Sequence, residues 1–351
     1  MIKNKISNLK KYIKAYVTRP FIKFRYDNSN VIKLKELPLI YATSHGEQNV
    51  DKMFYIIWRN HGGAGFFSNF HHVLTHLKIA ENLNMIPIID FKNFKTFYNE
   101  EHLVNNTDNA WEYYFTQPTQ YTLNDAMNSK NVFMSSGEFP ETLWNTEVRQ
   151  ANEFKRLYQK YIFLNRQVQQ FVNVTAELVP ARCLGVHFRG KEMNYAPSHP
   201  FGATVKQMFK YTNIMLKKYK LSKILLISED QHYIDLFKAE YSDKLIITDS
   251  FCVAKINAYN IYPRKDHKYL LGLEVFRDAT LLSKCTALLC TDSNVSQFAT
   301  KIGNHEVIYK IDNGINSNKL IFSRYLFTLK KYLPSALGGL KNRIIKIYNS
   351  Q

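Results

Sequence analysis

An α/β fold of two facing Rossmann-like halves is what this sequence predicts, on three observations. Short apolar or β-branched runs recur after Pro180 with segments of helical period between them, which implies parallel βαβ units and a doubly wound sheet. A strand, a glycine-rich turn, a helix and a second strand follow one another between Met53 and Phe91. The 351 residues, 45% hydrophobic and 14% aromatic with only 10 prolines, suffice for two ordinary domains or one large one, and exclude a disordered or fibrous chain.

The elements follow in order. Met53–Trp58 reads as a buried strand, and Asn60–Gly65 (NHGGAG) as a turn, because glycine permits φ > 0 and close backbone approach. From Ser68 to Asn84 apolar residues recur every three or four positions, the mark of a helix, and Ile86–Phe91 reads as the next strand. Between Lys92 and about residue 175 only helical stretches near Glu112–Phe115 and Arg149–Val174 stand out. Beyond Pro180, strands are expected at Leu184–Phe188, Ile224–Ser228, Leu245–Thr248, Ala287–Thr291 and Val307–Lys310, with helices such as Thr204–Tyr219 and Glu274–Lys284. The expected organisation is a basic amphipathic segment (1–34), an N-terminal Rossmann-like acceptor domain (35–176), a C-terminal Rossmann-like donor domain (177–315) and a basic helical tail (316–351). A ligand cleft then lies between the domains, at the carboxyl ends of the strands.

The formal charge of +18 is not spread evenly. Residues 1–25 hold eight Lys/Arg and no acid, and Gly314–Gln351 hold seven and no acid, which leaves +3 for the middle of the chain. A general nucleic-acid binder would not be built this way, so no nucleic-acid partner is expected. No run of about 18 apolar residues spans a bilayer and no signal-peptide core is visible, so the expected location is cytoplasmic. Cys183, Cys252, Cys285 and Cys290 lie in or beside apolar runs without CxxC spacing, which suits buried reduced thiols.

Three clusters fall just after strands of the second half. His187 and Arg189 share one face of their strand, and Gly190 lets the chain turn at its end; an arginine there can grip a phosphate or pair with a surface carboxylate. Asp292-Ser293-Asn294-Val295-Ser296 precede an apolar helix and can serve as its cap or, through backbone N–H groups, as an anion site. Ser228-Glu229-Asp230 place two carboxylates where a cap or a base-edge acceptor can sit. An arginine with a helix N-terminus suits a diphosphate, and a carboxylate can accept from guanine, so together the clusters point to a nucleoside-diphosphate ligand in the cleft. The NHGGAG loop fits this picture without having the order of a P-loop or a dinucleotide fingerprint.

In these segments the chain resembles the GT-B fucosyltransferase superfamily, which includes α-1,6-fucosyltransferases, nodulation fucosyltransferases and protein O-fucosyltransferases. GVHFRG (Gly185–Gly190), ILLISED (Ile224–Asp230) and FRDATLLSKCTALLCTDSNVSQFA (Phe276–Ala299) resemble its three donor motifs in order, and GGAGFFSNFHHVLTHLKIAE resembles the acceptor-side loop and helix of bacterial members. The resemblance implies a GT-B fold and a metal-independent inverting glycosyltransferase. Its donor would be a nucleotide sugar of the GDP-fucose type, its acceptor a glycan or lipid-linked glycan, and its setting bacterial surface polysaccharide or lipopolysaccharide assembly.

By that resemblance Arg189 binds the donor β-phosphate and steadies the departing diphosphate, while His187 and Asp278 contact guanine, with Asp230 as second choice. Ser293, Asn294 and Ser296 line the phosphate pocket with N–H groups, and Gly62, Gly63 and Gly65 close over it. Glu192 is the candidate general base, or a solvated partner of Arg189; relatives often carry Asp or a second arginine where this chain has Gly190-Lys191-Glu192. Asn69, His72, Tyr195 and His199 are candidates for holding the acceptor, and His61 and His71 are further candidates for sugar contact. His72 and His76 have i, i+4 spacing but no third ligand, so surface or interhelical hydrogen bonding is expected and no metal. The alternatives are a transferase of this fold using another nucleotide sugar, or a catalytically silent nucleotide-sugar or glycan-binding protein.

The ends carry their own pattern. Ile2, Ile6, Leu9, Ile13, Val17 and Phe21 interleave with lysines, as do Ile321, Leu326, Leu329, Leu333, Leu340, Ile344, Ile345 and Ile347. Cationic amphipathic segments of this kind can lie on an anionic lipid surface, so peripheral contact with the inner face of the cytoplasmic membrane is expected.

Overall fold

Aliphatic and β-branched runs pair into two sheets, and apolar helices cover them. The computed structural model describes residues 31–32, 40–60, 64–190, 194–252, 258–334, 337, 339–340 and 346–348. The expected helix over Met1–Tyr26, the loop residues His61, Gly62 and Gly63, Glu192, and Ile344 and Ile345 lie outside the described residues.

In chain order the strands are β1 (Val31–Ile32), β2 (Ile40–Thr43), β3 (Phe54–Ile57), β4 (Ile86–Ile89), β5 (Val132–Ser135), β6 (Cys183–His187), β7 (Lys223–Ile227), β8 (Leu245–Ile247), β9 (Ala287–Thr291), β10 (Val307–Ile311) and β11 (Lys346–Tyr348). The α-helices are α1 (Phe66–Asn82), α2 (Leu123–Ala126), α3 (Glu141–Leu143), α4 (Ala151–Tyr161), α5 (Arg166–Ala176), α6 (Val205–Lys218), α7 (Gln231–Tyr241), α8 (His267–Lys284), α9 (Asn294–Ile302) and α10 (Leu320–Tyr332). The fold is mixed α/β with parallel sheets, in agreement with the class read from the sequence.

The second sheet has the order β11-β10-β9-β6-β7-β8, parallel from β10 to β8, with β11 antiparallel on its edge. Leu184 of β6 lies opposite Ala287 of β9 on one side and Ile224 of β7 on the other. The chain runs outward through β6, β7 and β8 and then crosses back to β9, so the strand order reverses beside β6. Ligands of open α/β sheets bind outside the carboxyl ends of the strands at such a point. The first sheet has the order β1-β2-β5-β3-β4; β3 runs parallel to β4 and β5, whereas β2 and β1 add an antiparallel edge that periodicity did not reveal.

Several elements differ from expectation for identifiable reasons. Helix α8 starts at His267 rather than near Glu274, and Gly272 in its second turn obscures the helical signal, since glycine is a poor helix former. Gly272 is needed because a Cβ there would lie 2.1 Å from the Tyr114 hydroxyl. The stretch Arg149–Val174 divides into α4 and α5, because Asn165 caps α5 by accepting from the Val168 N–H at 3.0 Å. Residues 111–114 form hydrogen-bonded turns, not a helix.

Helix α1 is buried far beyond one stripe, with Phe66, Phe67, Phe70, His71, His72, Val73, His76 and Leu77 all inside. One aromatic core explains this. Phe298 of α9 stands 4.7 Å from Phe67 and 5.6 Å from Phe70 between ring centroids, and Phe276 of α8 lies 5.9 Å from Phe298. A single apolar cluster thus contains residues from both sides of position 176. The cysteines are free thiols; Cys183, Cys285 and Cys290 are buried and Cys252 is half-buried.

Helix α10 buries Ser323 and Phe327 but leaves Ile321, Phe322, Tyr325, Leu329 and Tyr332 exposed, flanked by Lys319, Arg324, Lys330 and Lys331. Among the described residues no helix is long and apolar enough to cross a membrane.

Candidate functional site

The ends of β6, β7 and β9 are neighbours in the second sheet, so the three clusters picked out after those strands stand side by side. His187, the last residue of β6, is buried, and its Nδ1 lies 3.4 Å from the Ser293 hydroxyl beyond β9. Burial and the neighbouring Arg189 charge hold its pKa down to about 3, so the imidazole is neutral at physiological pH. Arg189 is half-buried, between Glu229 beyond β7 and Asp292 beyond β9. Burial lowers its pKa while both carboxylates act against that shift. Among the described residues its guanidinium makes no hydrogen bond, so it is charged, largely desolvated and open to a ligand.

Gly190 lies close against the Glu229 side chain. Its N–H donates to Glu229 Oε1 at 3.2 Å, and a Cβ at this position would come within 2.8 Å of the Glu229 side chain. Glu229 is thereby drawn to the turn that follows Arg189, a role the sequence did not assign to it.

Helix α9 begins with a reciprocal capping box, in which Ser293 Oγ accepts from the Ser296 N–H at 3.1 Å and the Ser293 N–H donates to Ser296 Oγ at 3.0 Å. Ser296 Oγ also donates to the Thr291 carbonyl at 2.6 Å. The Ser296 N–H expected in the phosphate pocket is therefore consumed by the cap. The N–H groups of Asn294 and Val295 have no acceptor among the described residues, and these are the donors the helix terminus can offer an anion. Asp292 is held by Lys310 at 2.8 Å and lies 3.6 Å from Arg149. Lys301, in the last turn of α9, sits over the Trp144 and Phe154 rings at 4.5 and 4.4 Å, and burial brings its pKa down to about 7.

Asp278 projects from α8 into a polar cluster with the segment after β8. Its Oδ2 accepts from Ser250 at 2.5 Å and its Oδ1 from Arg277 Nε at 3.0 Å, and burial raises its pKa. Arg277 also bonds Ser250 and Asp249, and Arg264 makes a two-pronged pair with Glu274 at 2.6 and 2.9 Å. Asp230 caps α7 through the His232 N–H at 3.0 Å, a local role that accounts for its position.

The acceptor-side candidates are not gathered into one place. Gly65 precedes α1, and a Cβ there would meet nothing within 4 Å. Asn69 is buried in the first turn of α1, with its Oδ1 accepting from Arg59 at 2.9 Å. His72 is fully buried and donates through Nε2 to the Trp58 carbonyl at 2.8 Å. His76, expected at a surface or between helices, is also in the core: Nε2 donates to the Glu138 carbonyl at 3.1 Å, so Nδ1 accepts from the Tyr55 hydroxyl at 2.7 Å. Burial holds its pKa down to about 4. His71 stacks on Trp144 at 4.5 Å inside the same core. Tyr195 and His199 lie exposed on the loop before α6, where His199 Nδ1 donates to the Pro197 carbonyl at 2.8 Å. Among the described residues no group of three or more His, Cys, Asp or Glu is arranged to hold a metal.

No protein-family model and no curated protein matches the chain. Solved structures similar to it are fucosyltransferases. They include the fucosyltransferase NodZ from Bradyrhizobium (13% identity over 76% of this chain and 99% of that one, TM-score 0.46). Others are a mutant of Arabidopsis thaliana FUT1 in complex with GDP (11%, 79% and 72%, TM-score 0.45) and POFUT1 in complex with GDP-fucose (9%, 74% and 96%, TM-score 0.42).

Proposed function

We propose that the chain is a metal-independent inverting glycosyltransferase that takes a nucleoside-diphosphate sugar, of the GDP-fucose type, and transfers the sugar to a glycan hydroxyl. The observation that carries this reading is the placement of Arg189, without a hydrogen bond among the described residues and largely desolvated, beside the α9 N-terminus at the point where the strand order reverses. In the transfer, the acceptor oxygen forms a bond to C1 as the bond from C1 to the phosphate oxygen breaks. Negative charge gathers on the leaving diphosphate, where Arg189 and the Asn294 and Val295 N–H groups meet it. The hydroxyl proton passes to a carboxylate on the opposite face. Glu192 keeps that assignment, and Glu229 is the described carboxylate beside the same turn. The GDP-fucose assignment rests on the sequence resemblance of the three donor segments, which favours Asp278 as the group for guanine with Asp230 as second choice.

The test is release of nucleotide from GDP-fucose, UDP-glucose and CDP-sugars in the presence of a chelator and a glycan mixture. Release of GDP from GDP-fucose is expected; turnover of a UDP-sugar alone would replace the donor. The exposed apolar stripe of α10 and its lysines support lipid contact by the same protein. Sedimentation with anionic but not neutral vesicles is the expected behaviour, and no sedimentation with either would remove that part of the reading.

A further inference from the structure

Arg59 follows β3 and is only 7% exposed, yet no carboxylate pairs with it among the described residues. One terminal nitrogen donates to Ser68 Oγ at 3.2 Å and to Asn69 Oδ1 at 2.9 Å, both in the first turn of α1, and its buried Nε has no hydrogen-bond partner. The same turn begins at Gly65 with no side-chain cap and no acidic residue. A guanidinium and the positive end of a helix dipole thus sit together, with nothing of opposite sign among the described residues to balance them.

Such an arrangement is costly in the empty protein. A buried cation without a counter-charge loses hydration that two neutral hydrogen bonds replace only in part, and the positive helix end adds repulsion. His76, which feels the Arg59 charge, is held neutral by burial and supplies no compensation. Burial lowers the Arg59 pKa only to about 10, so it stays protonated at physiological pH. An oxyanion would accept from the other terminal nitrogen, which makes no hydrogen bond among the described residues, and interact with the helix end at once.

We propose that Arg59 and the first turn of α1 form an anion-binding site on the N-terminal sheet, and that it takes a phosphate or carboxylate group of a bound substrate. The group belongs either to the donor diphosphate or to an acidic acceptor. The site stands on its own geometry and does not require the nucleotide-sugar reading.

The test is calorimetric titration of the full chain with inorganic phosphate and, separately, with GDP. The phosphate titration uses an Arg189→Met background, which removes the other open arginine. Phosphate binding is expected to persist there, to fall at least tenfold on adding Arg59→Gln, and to survive Arg59→Lys, which keeps the charge and controls for folding. A matching fall in GDP affinity on Arg59→Gln alone assigns the group to the donor, and unchanged GDP affinity with lost phosphate binding assigns it to the acceptor. Phosphate binding through Arg59 without any GDP binding supports this site while removing the donor reading. The proposal is overturned if folded Arg59→Gln binds phosphate and GDP as the parent does, or if the Arg189→Met protein binds no phosphate.

Discussion

Arg189→Ala is expected to cut nucleotide release from the donor by at least about 100-fold while leaving the fold intact. The donor diphosphate is already anionic and gains further negative charge in the transition state, and one preorganised donor aimed at such developing charge contributes about 3–4 kcal/mol. Arg189 makes no hydrogen bond among the described residues, so its removal breaks none there and forfeits only its attraction to Glu229 and Asp292. Arg189→Lys should recover a minor part of the activity, since an ammonium supplies charge without the planar fork. Steady-state kinetics with a thermal midpoint measured in parallel checks both. Activity within about threefold of the parent in Arg189→Ala would remove Arg189 from the reaction.

Phe298→Ala is expected to destabilise the protein by about 3–5 kcal/mol, the cost of a large aromatic lost from a packed core. Phe298 is fully buried and touches rings from α1, α4 and α8. Its removal opens a cavity between elements from both sides of position 176, where rigid aromatic neighbours leave little scope for collapse. Urea unfolding followed by fluorescence and circular dichroism measures the loss. A change below about 1 kcal/mol would mean that this cluster does not hold the two parts of the chain together.

The strands of the second sheet were legible because burial on both faces demands continuous apolar runs, and Ala287–Thr291 has the bounds expected. The strand-end clusters were legible for the same reason, since locating a strand locates its carboxyl end. The strands Ile40–Thr43 and Val132–Ser135 were not, because neither is a continuous apolar run: the first ends in Ala42-Thr43 and is only partly buried, and the second ends in Ser135. The histidines of α1 were misplaced because their burial depends on partners in other elements, the Trp58 carbonyl for His72, Tyr55 and the Glu138 carbonyl for His76, and Trp144 for His71. Arg59 was missed for a related reason: in sequence it is one arginine after a strand, and only tertiary packing shows that it is buried without a counter-charge.

In the proposed function the +18 charge, concentrated at the two ends, serves lipid contact, and the chemistry rests on the turn after β6. A crystal structure of the chain at saturating GDP tests that claim most directly. The diphosphate is expected within about 3 Å of the Arg189 guanidinium and of the Asn294 and Val295 N–H groups, typical of charge-assisted hydrogen bonds. Diphosphate density elsewhere, with Arg189 untouched, would contradict it.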